Sequence, residues 1–433
     1  MAVATGDLTA TDSSAEERAV IAKAMWRLLP FLCFIYFIAY LDRVNVSFAA
    51  LTMNGDLGIS DSAYGLGAGI FFVAYFLFEV PSNFALKRFG ARVWIARIMV
   101  TWGLISMSMA FVAGPKSFYT MRFLLGVAEA GFFPGMIFYL TYWFPNRVRA
   151  GILGIFIIAN PASTLIGAPL STTLLGTHLF GLTGWQTMFV IEGVPAVLLG
   201  FVGLRVLCDS PAKAKWLSER EREVLLAVVK RDEKLSTYTS AREGLASPVV
   251  WLFSGLYAAL MMGVYGFGLW APQIVKSLGN LGNQDVGFVL MIPYGCATLA
   301  MVLWGRHSDR TGERKWHLAL PGVVGMIGFL CGGFAGNFYI AVLGFTIGAI
   351  GIYASLPLFW SLPTAILGGS AAAGGIALIN SIGNLSGYLG PFVIGKLKEH
   401  TQGFTAGLLV IAGSLALAAI LGYVVGRRAP KSG

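Results

Sequence analysis

Apolar stretches long enough to cross a bilayer recur along the whole chain, separated by short polar connections. They fall near 26–50, 62–86, 92–112, 118–143, 150–173, 186–207, 248–275, 286–305, 316–334, 338–357, 366–393 and 404–426. A membrane helix needs about 20 apolar residues, and the stretches lack the two-residue alternation of a barrel strand. The pattern therefore predicts an all-α integral membrane protein with twelve spanning helices. The longest polar interval, 208–247, lies between the sixth and seventh stretches. It divides the chain into two six-helix halves, 26–207 and 248–426, with tails at 1–25 and 427–433. Within that interval, AKAKWLSEREREVLLAVVKRDEK places Trp216, Leu217, Val224, Leu225, Val228 and Val229 close to one helical stripe. Its charges occupy the remaining faces, so a surface helix connecting the halves is expected.

Composition strengthens this reading. Of 433 residues, 56% are apolar and 12% charged, against about 25% charged in an ordinary soluble domain. The first 25 residues hold Asp7, Asp12, Glu16 and Glu17 and no apolar run, unlike a secretory signal. The net charge of +10 follows from topology. With the amino terminus inside, cytoplasmic ends and loops carry 25 of the 31 Lys and Arg residues; Lys116, Lys276, Lys396 and Lys398 lie outside, and Arg43 and Arg122 lie within spans. That asymmetry places both termini in the cytoplasm, although the connection after Pro357 has no basic residue. Nucleic-acid binding is not needed to explain the charge. Cys33, Cys208, Cys296 and Cys331 are isolated, and His178, His307, His317 and His400 have no HExxH spacing. There is no GxxxxGKS loop either, so no metal, cofactor or ATP-driven chemistry is expected, and the chain does not read as an enzyme.

The exceptional positions are charges inside apolar stretches. Asp42 and Arg43 interrupt the first, and Arg122 and Glu129 the fourth. Each costs several kcal/mol at membrane depth unless it finds a polar partner, a wet path or a ligand. Tyr36, Tyr40 and Arg43 follow a four-then-three spacing that puts them near one face, with Asp42 a step away; Arg122, Gly126 and Glu129 share a stripe. A guanidinium suits a carboxylate ligand because its fork makes two charge-assisted hydrogen bonds. Internal salt bridges that only join helices are the competing explanation. Tyr75 and Glu79 are four apart, and Glu79 and Glu192 lie near span ends, where gating or inter-helix hydrogen bonding is as good a reading as proton transfer. In the second half, Asn380 and Asn384 are one turn apart and can offer amides to ligand oxygens. Asn160 and Tyr265 are further candidate contacts, as are Ser163, Tyr353, Trp360 and Tyr388, each with core packing as the alternative.

Matching segments follow the second span of each half: NFALKRFGAR from Asn83 and GRHSDRTGER from Gly305. They resemble the G-x-x-x-D-R-x-G-R-R loops of the major facilitator superfamily. Gly305, Asp309, Arg310, Gly312 and Arg314 fit that pattern; in the first copy Asn83 and Lys87 depart from it, while Arg88, Gly90 and Arg92 remain. YLDRVNVSFA, FFVAYFLFEVPSN, RFLLGVAEAGFFPG, YLTYWFP, GWQTMFVIEG and ALINSIGNLSGYLGP narrow the resemblance to bacterial organic anion:cation symporters of the tartrate, phthalate and hydroxyphenylacetate type. The resemblance implies the major facilitator fold, two pseudo-symmetric bundles that work by alternating access. It implies proton coupling by Asp42 and Glu129, and anion handling by Arg43 and Arg122. Lys87, Arg88, Arg92, Asp309, Arg310 and Arg314 become candidate gate residues. The expected activity is proton-coupled import of a small carboxylate or sulfonate anion across a bacterial inner membrane, by a monomer among lipids. The anion would be a tartrate-like hydroxy or sugar acid, or an aromatic carboxylate. Exchange or export of such anions, and ligand sensing without transport, are the alternatives.

Overall fold

The computed structural model describes residues 15–233, 246–279, 281–367 and 369–428. The chain opens with α1 (Ala15–Leu57), α2 (Asp61–Phe89), α3 (Ala91–Ser108), α4 (Pro115–Glu129), α5 (Phe132–Trp143), α6 (Asn146–Leu174) and α7 (Gly184–Val206). A connector helix α8 (Glu219–Glu233) follows. The second half contains α9 (Pro248–Gly268), α10 (Ala271–Ser277), α11 (Asn283–Thr311), α12 (Lys315–Gly333), α13 (Phe338–Ala354), α14 (Leu356–Ile366), α15 (Gly369–Thr401) and α16 (Thr405–Arg428). Among the described residues, eleven segments are long and apolar enough to cross a membrane, and the 33-residue α15 supplies the twelfth. Phe34, Leu77, Phe84, Leu198, Leu299 and Ile420 are exposed apolar side chains on the outside of this bundle, as a lipid-facing surface requires.

Local chemistry interrupts the fourth span of each half. In the first, α4 stops at Glu129 because Ala130 is extended (φ −52°, ψ 133°) and Gly131 is left-handed (φ 79°). Only a residue without Cβ takes that second conformation at no steric cost. In the second, α13 ends at Ala354 and α14 restarts with Pro357 in its first turn. Pro lacks the N–H that an uninterrupted helix needs but is accommodated at a helix start. The matching breaks express the two-fold relation between the halves in the backbone itself. A further break, at Leu269 and Trp270, separates α9 from α10.

The helix α1 reaches back to Ala15, and α8 docks against that extension. Lys23 pairs with Glu221 at 2.8 Å, Arg220 with Glu16 at 3.0 Å and Arg231 with Glu17 at 3.3 Å. The hydrogen bond from Lys23 holds the Glu221 carboxyl below its ordinary range. Leu217, Leu225 and Val228 are buried, and Trp216 stacks on Trp143 at 5.6 Å. The apolar stripe of the connector thus faces the first half, and its charges tie it to α1.

The halves meet most closely at the end where α1 finishes and α2 begins. A Cβ added at Gly65 would lie 2.5 Å from the carbonyl oxygen of Pro391, and one at Gly287 only 2.0 Å from Thr172 Oγ1. Absence of a side chain at these two positions lets α2 approach α15, and α11 approach α6, almost backbone to backbone. Lys398 pairs with Asp61 at 2.6 Å, and Tyr64 Oη donates to the Leu269 carbonyl at 2.8 Å. Toward the opposite end the approach is looser: a Cβ at Gly154 would lie 3.9 Å from Pro357. Gly65→Leu should therefore force the α1–α2 end apart. With cysteines substituted for Asp61 and Lys398, a bridging reagent should crosslink the parent readily and the Gly65→Leu protein at least about threefold less, since a packed interface cannot absorb the added volume. Equal crosslinking would contradict this picture of the seal.

Candidate functional site

Between the halves, Arg43 of α1 reaches partners from both. Its Nη2 donates to Glu129 Oε1 at the end of α4, and its Nη1 donates to Tyr265 Oη of α9 at 3.0 Å. Tyr40 Oη lies 3.5 Å from Tyr265 Oη. The guanidinium sits over the rings of Tyr40, Phe71 and Tyr75 at 5.1, 5.5 and 5.5 Å, an arrangement that stabilises a desolvated cation. Arg43 Nε has no hydrogen-bond partner. Tyr36 stacks on Phe156 at 4.1 Å and on Phe133 at 5.5 Å, and Phe133 meets Trp360 of the second half edge-on at 5.5 Å. Arg43, Tyr265 and Glu129 are 5%, 3% and 2% exposed, so the protein is closed around this cluster. Four of the candidates from three helices (Tyr40 and Arg43 of α1, Tyr75 of α2 and Tyr265 of α9) and the acid Glu129 are thereby brought together.

Arg122 behaves differently. Its Nε and Nη2 donate to the carbonyls of Gly67 and Ala68 at 3.3 and 3.0 Å, and its guanidinium lies 4.8 Å from the Phe71 ring centroid. No carboxylate pairs with it among the described residues. Phe71 is thus sandwiched between two arginines, and Gly126 allows this: a Cβ there would lie 2.2 Å from the Phe71 carbonyl oxygen. The second charge in the region is consequently held by backbone carbonyls and the Phe71 ring, adjacent to the Arg43 ion pair.

Asp42 points away from this centre. It accepts from Trp102 Nε1 at 2.6 Å, Ser106 Oγ at 3.2 Å and Asn45 Nδ2 at 3.4 Å. The two acids expected to work together therefore meet different faces of α1, since Asp42 and Arg43, the partner of Glu129, are successive residues turned about 100° from each other. Asn380 donates to Glu79 Oε1 at 2.9 Å. That amide, read in the sequence as a ligand contact, is engaged with an acid of the first half in this closed state, and Glu79 Oε2 is buried without a hydrogen-bond partner. Asn160 is buried on α6. Sequence reasoning did not single out Phe71 or Trp102. Only the last had a possible signal, as an indole buried in a span that also needs a hydrogen-bond acceptor.

The candidate gate residues occupy the α2–α3 and α11–α12 turns. Lys87 lies 5.0 Å over the Phe138 ring and Arg88 5.6 Å over that of Phe89. The Arg92 backbone N–H donates to Asp209 Oδ1 at 3.1 Å, and its Nε to the Leu204 carbonyl at 2.6 Å. Asp209, from the connector, thus supplies an acid to a turn that has Lys87 where the repeat pattern has Asp. In the second turn Arg314 pairs with Asp309 at 2.8 Å and donates to Ser308 Oγ at 2.9 Å. Gly312 closes the helix in the left-handed conformation (φ 65°). Neighbouring Glu313 is held below its ordinary range: burial opposes ionisation, but the backbone N–H groups of Trp316 and His317 and the His317 ring outweigh it. Arg310 is exposed on the same turn.

The Major Facilitator Superfamily profile matches residues 32–391. A protein of Agrobacterium vitis described as a "Putative tartrate transporter" is 50% identical over 419 residues, covering 96% of this chain and 93% of that one. A "Quinolone resistance transporter" of Acinetobacter baumannii is 42% identical, covering 94% and 95%. Among solved structures, the xylose transporter XylE of E. coli in a partially occluded inward-open conformation superposes with a TM-score of 0.74 at 14% identity, covering 92% of this chain and 97% of that one. That likeness concerns the fold alone.

Proposed function

The chain belongs to the Major Facilitator Superfamily and is a multi-pass membrane transporter, not an enzyme; from that premise we propose that it imports a small organic anion together with protons by alternating access. The observation that carries this is the buried Arg43–Glu129 pair, held between tyrosines from both halves. An arginine whose fork already binds one carboxylate can bind another in its place once Glu129 is neutralised. Protonation of Glu129 from the outer side therefore prepares the site for the substrate carboxylate. The hydroxyls of Tyr40 and Tyr265 suit the remaining oxygens of a hydroxy or sugar acid, and the Tyr36–Phe156–Phe133 stack gives an aromatic acid a surface. The relative described as a tartrate transporter favours the first substrate class. Asp42 is the second proton site, Arg122 reinforces the positive potential, and Asn160, Asn380 and Asn384 reach the ligand when the halves move apart. With both termini on the cytoplasmic side of a bacterial inner membrane, the tightly packed α1–α2 end is the outer gate. The charged turns carrying Lys87, Arg88, Arg92, Asp309, Arg310 and Arg314 form the inner one. A monomer in its lipid surroundings suffices, because each element of the site comes from one chain.

The test is uptake by reconstituted vesicles across labelled aldarates, hydroxy acids, aromatic acids and sulfonates, with and without an imposed proton gradient. Uphill accumulation of one acid that disappears when the gradient is collapsed is expected. Gradient-independent counterflow alone would point to exchange. Export is the second reading, favoured by the relative named for quinolone resistance; it predicts that an acid loaded inside the vesicles leaves against its gradient while none accumulates.

A further inference from the structure

A second hydrogen bond joins the halves on the inner side of the arginine cluster. Helices α2 and α15 run antiparallel across the interface, starting from the Asp61–Lys398 pair at the outer end. A Cβ at Gly69 would lie 2.9 Å from the Tyr388 carbonyl oxygen, and one at Gly387 2.6 Å from the Phe72 ring. The same register brings Asn380 Nδ2 to 2.9 Å from Glu79 Oε1. Glu79 follows Tyr75 by one turn on the same face of α2, about 6 Å further inward. The Tyr75 ring itself lies 5.5 Å from the Arg43 guanidinium. Glu79 and Asn380 are 0% and 2% exposed. No cation pairs with Glu79 among the described residues, and its Oε2 is buried without a hydrogen-bond partner. Joining two helices needs one donor and one acceptor; a buried acid with an unpaired oxygen is a costly way to do only that.

The pairing is asymmetric, since an amide N–H that only donates faces carboxyl oxygens that accept. A hydroxyl satisfies both at once, accepting from the amide and donating to the carboxyl. A ligand carboxylate would set its oxygens against those of Glu79, and an ammonium would strand the amide. A methylene would leave both unpaired. We propose that Glu79 and Asn380 form a site that reads a hydroxyl of the transported anion. As the halves part, the hydroxyl enters between the two side chains, and Glu79 Oε2 takes a neighbouring hydroxyl. With the carboxylate on Arg43 and this pair beyond Tyr75, the site selects hydroxy and sugar acids over aromatic carboxylates. The inference rests on the organic-anion reading and narrows its substrate class.

The test is counterflow in reconstituted vesicles, which needs no proton gradient. Two matched pairs of labelled acids serve as probes, tartrate against succinate and galactarate against adipate; the members of each pair differ only in hydroxyls. Below saturation the parent should exchange the hydroxylated member of at least one pair about 10- to 100-fold faster, as two hydrogen bonds allow. Glu79→Leu/Asn380→Leu replaces both groups with apolar side chains and strands neither, and there the preference should fall below about threefold. Glu79→Gln keeps an accepting oxygen and should retain most of it. A parent that exchanges no acid of the wider uptake panel would sink the organic-anion reading, and this inference with it. A parent that exchanges acids of the panel without preferring hydroxylated members would overturn this inference alone, as would a preference that survives in the double variant. Should the double variant fail to fold, Asn380→Ala decides: an undiminished preference overturns the site, and a reduced one supports it.

Discussion

Arg43→Ala should reduce the initial rate of anion uptake by about two to four powers of ten. The side chain offers the substrate two charge-assisted hydrogen bonds, each worth about 1.5–3 kcal/mol in a desolvated site. Its loss also strands Glu129 and removes the donor to Tyr265 Oη. Breaking one partner of a buried pair costs about 3–5 kcal/mol when the other stays charged, so a drop in thermal stability is expected as well. Stability and transport are separable by the double variant Arg43→Ala/Glu129→Gln. Removing both charges should restore much of the lost stability and none of the uptake. Arg43→Lys should fall between, because an ammonium keeps the charge but cannot bridge Glu129 and Tyr265 in one plane. Initial rates of labelled-substrate uptake in reconstituted vesicles, alongside a melting curve of the same preparations, read both quantities. Uptake by the double variant at the parental level would contradict the role given to Arg43.

Glu129→Gln should show the opposite pattern. The amide mimics the protonated acid in shape and neutrality, so Arg43 is released permanently and anion binding no longer waits for a proton. Exchange of labelled for unlabelled substrate should persist within about threefold of the parent, while uphill accumulation driven by a proton gradient should fall by at least about a hundredfold, as expected when a required proton transfer is removed. Binding affinity, which in the parent should weaken as pH rises and Glu129 reclaims Arg43, should become flat with pH. The sign is fixed by competition: a deprotonated Glu129 occupies the guanidinium that the ligand needs. A variant that still accumulates substrate uphill would remove Glu129 from obligatory coupling.

The twelve spans were legible because each repeats a simple thermodynamic requirement, about 20 apolar residues per crossing. The shared face of Tyr40 and Arg43 was legible from helical spacing, as was the apolar stripe of the connector. Other features depend on contacts that spacing cannot report. Glu79 meets Asn380 across 301 positions of sequence and Arg43 meets Tyr265 across 222. Asp42 turns toward Trp102, 60 positions away, and so leaves Glu129 behind although both were read as one pair. The interruption at Ala130 and Gly131 lies within the 118–143 stretch, where hydropathy stays high on both sides and only the left-handed glycine marks the break. The connector residue Asp209 reaches the first charged turn by chain path rather than by motif. Local periodicity therefore locates charges on faces; which faces meet is decided by the packing of distant helices.

The central claim is that a proton and an organic anion share one passage through the Arg43–Glu129 switch. Its most direct test is luminal pH in vesicles loaded with a pH-sensitive dye, recorded when tartrate, or whichever acid the uptake panel selects, is added outside. The parent should acidify the lumen in step with uptake, and Glu129→Gln should take up label by exchange without acidification. Substrate uptake by the parent with no proton movement, or acidification by Glu129→Gln equal to that of the parent, would contradict the account.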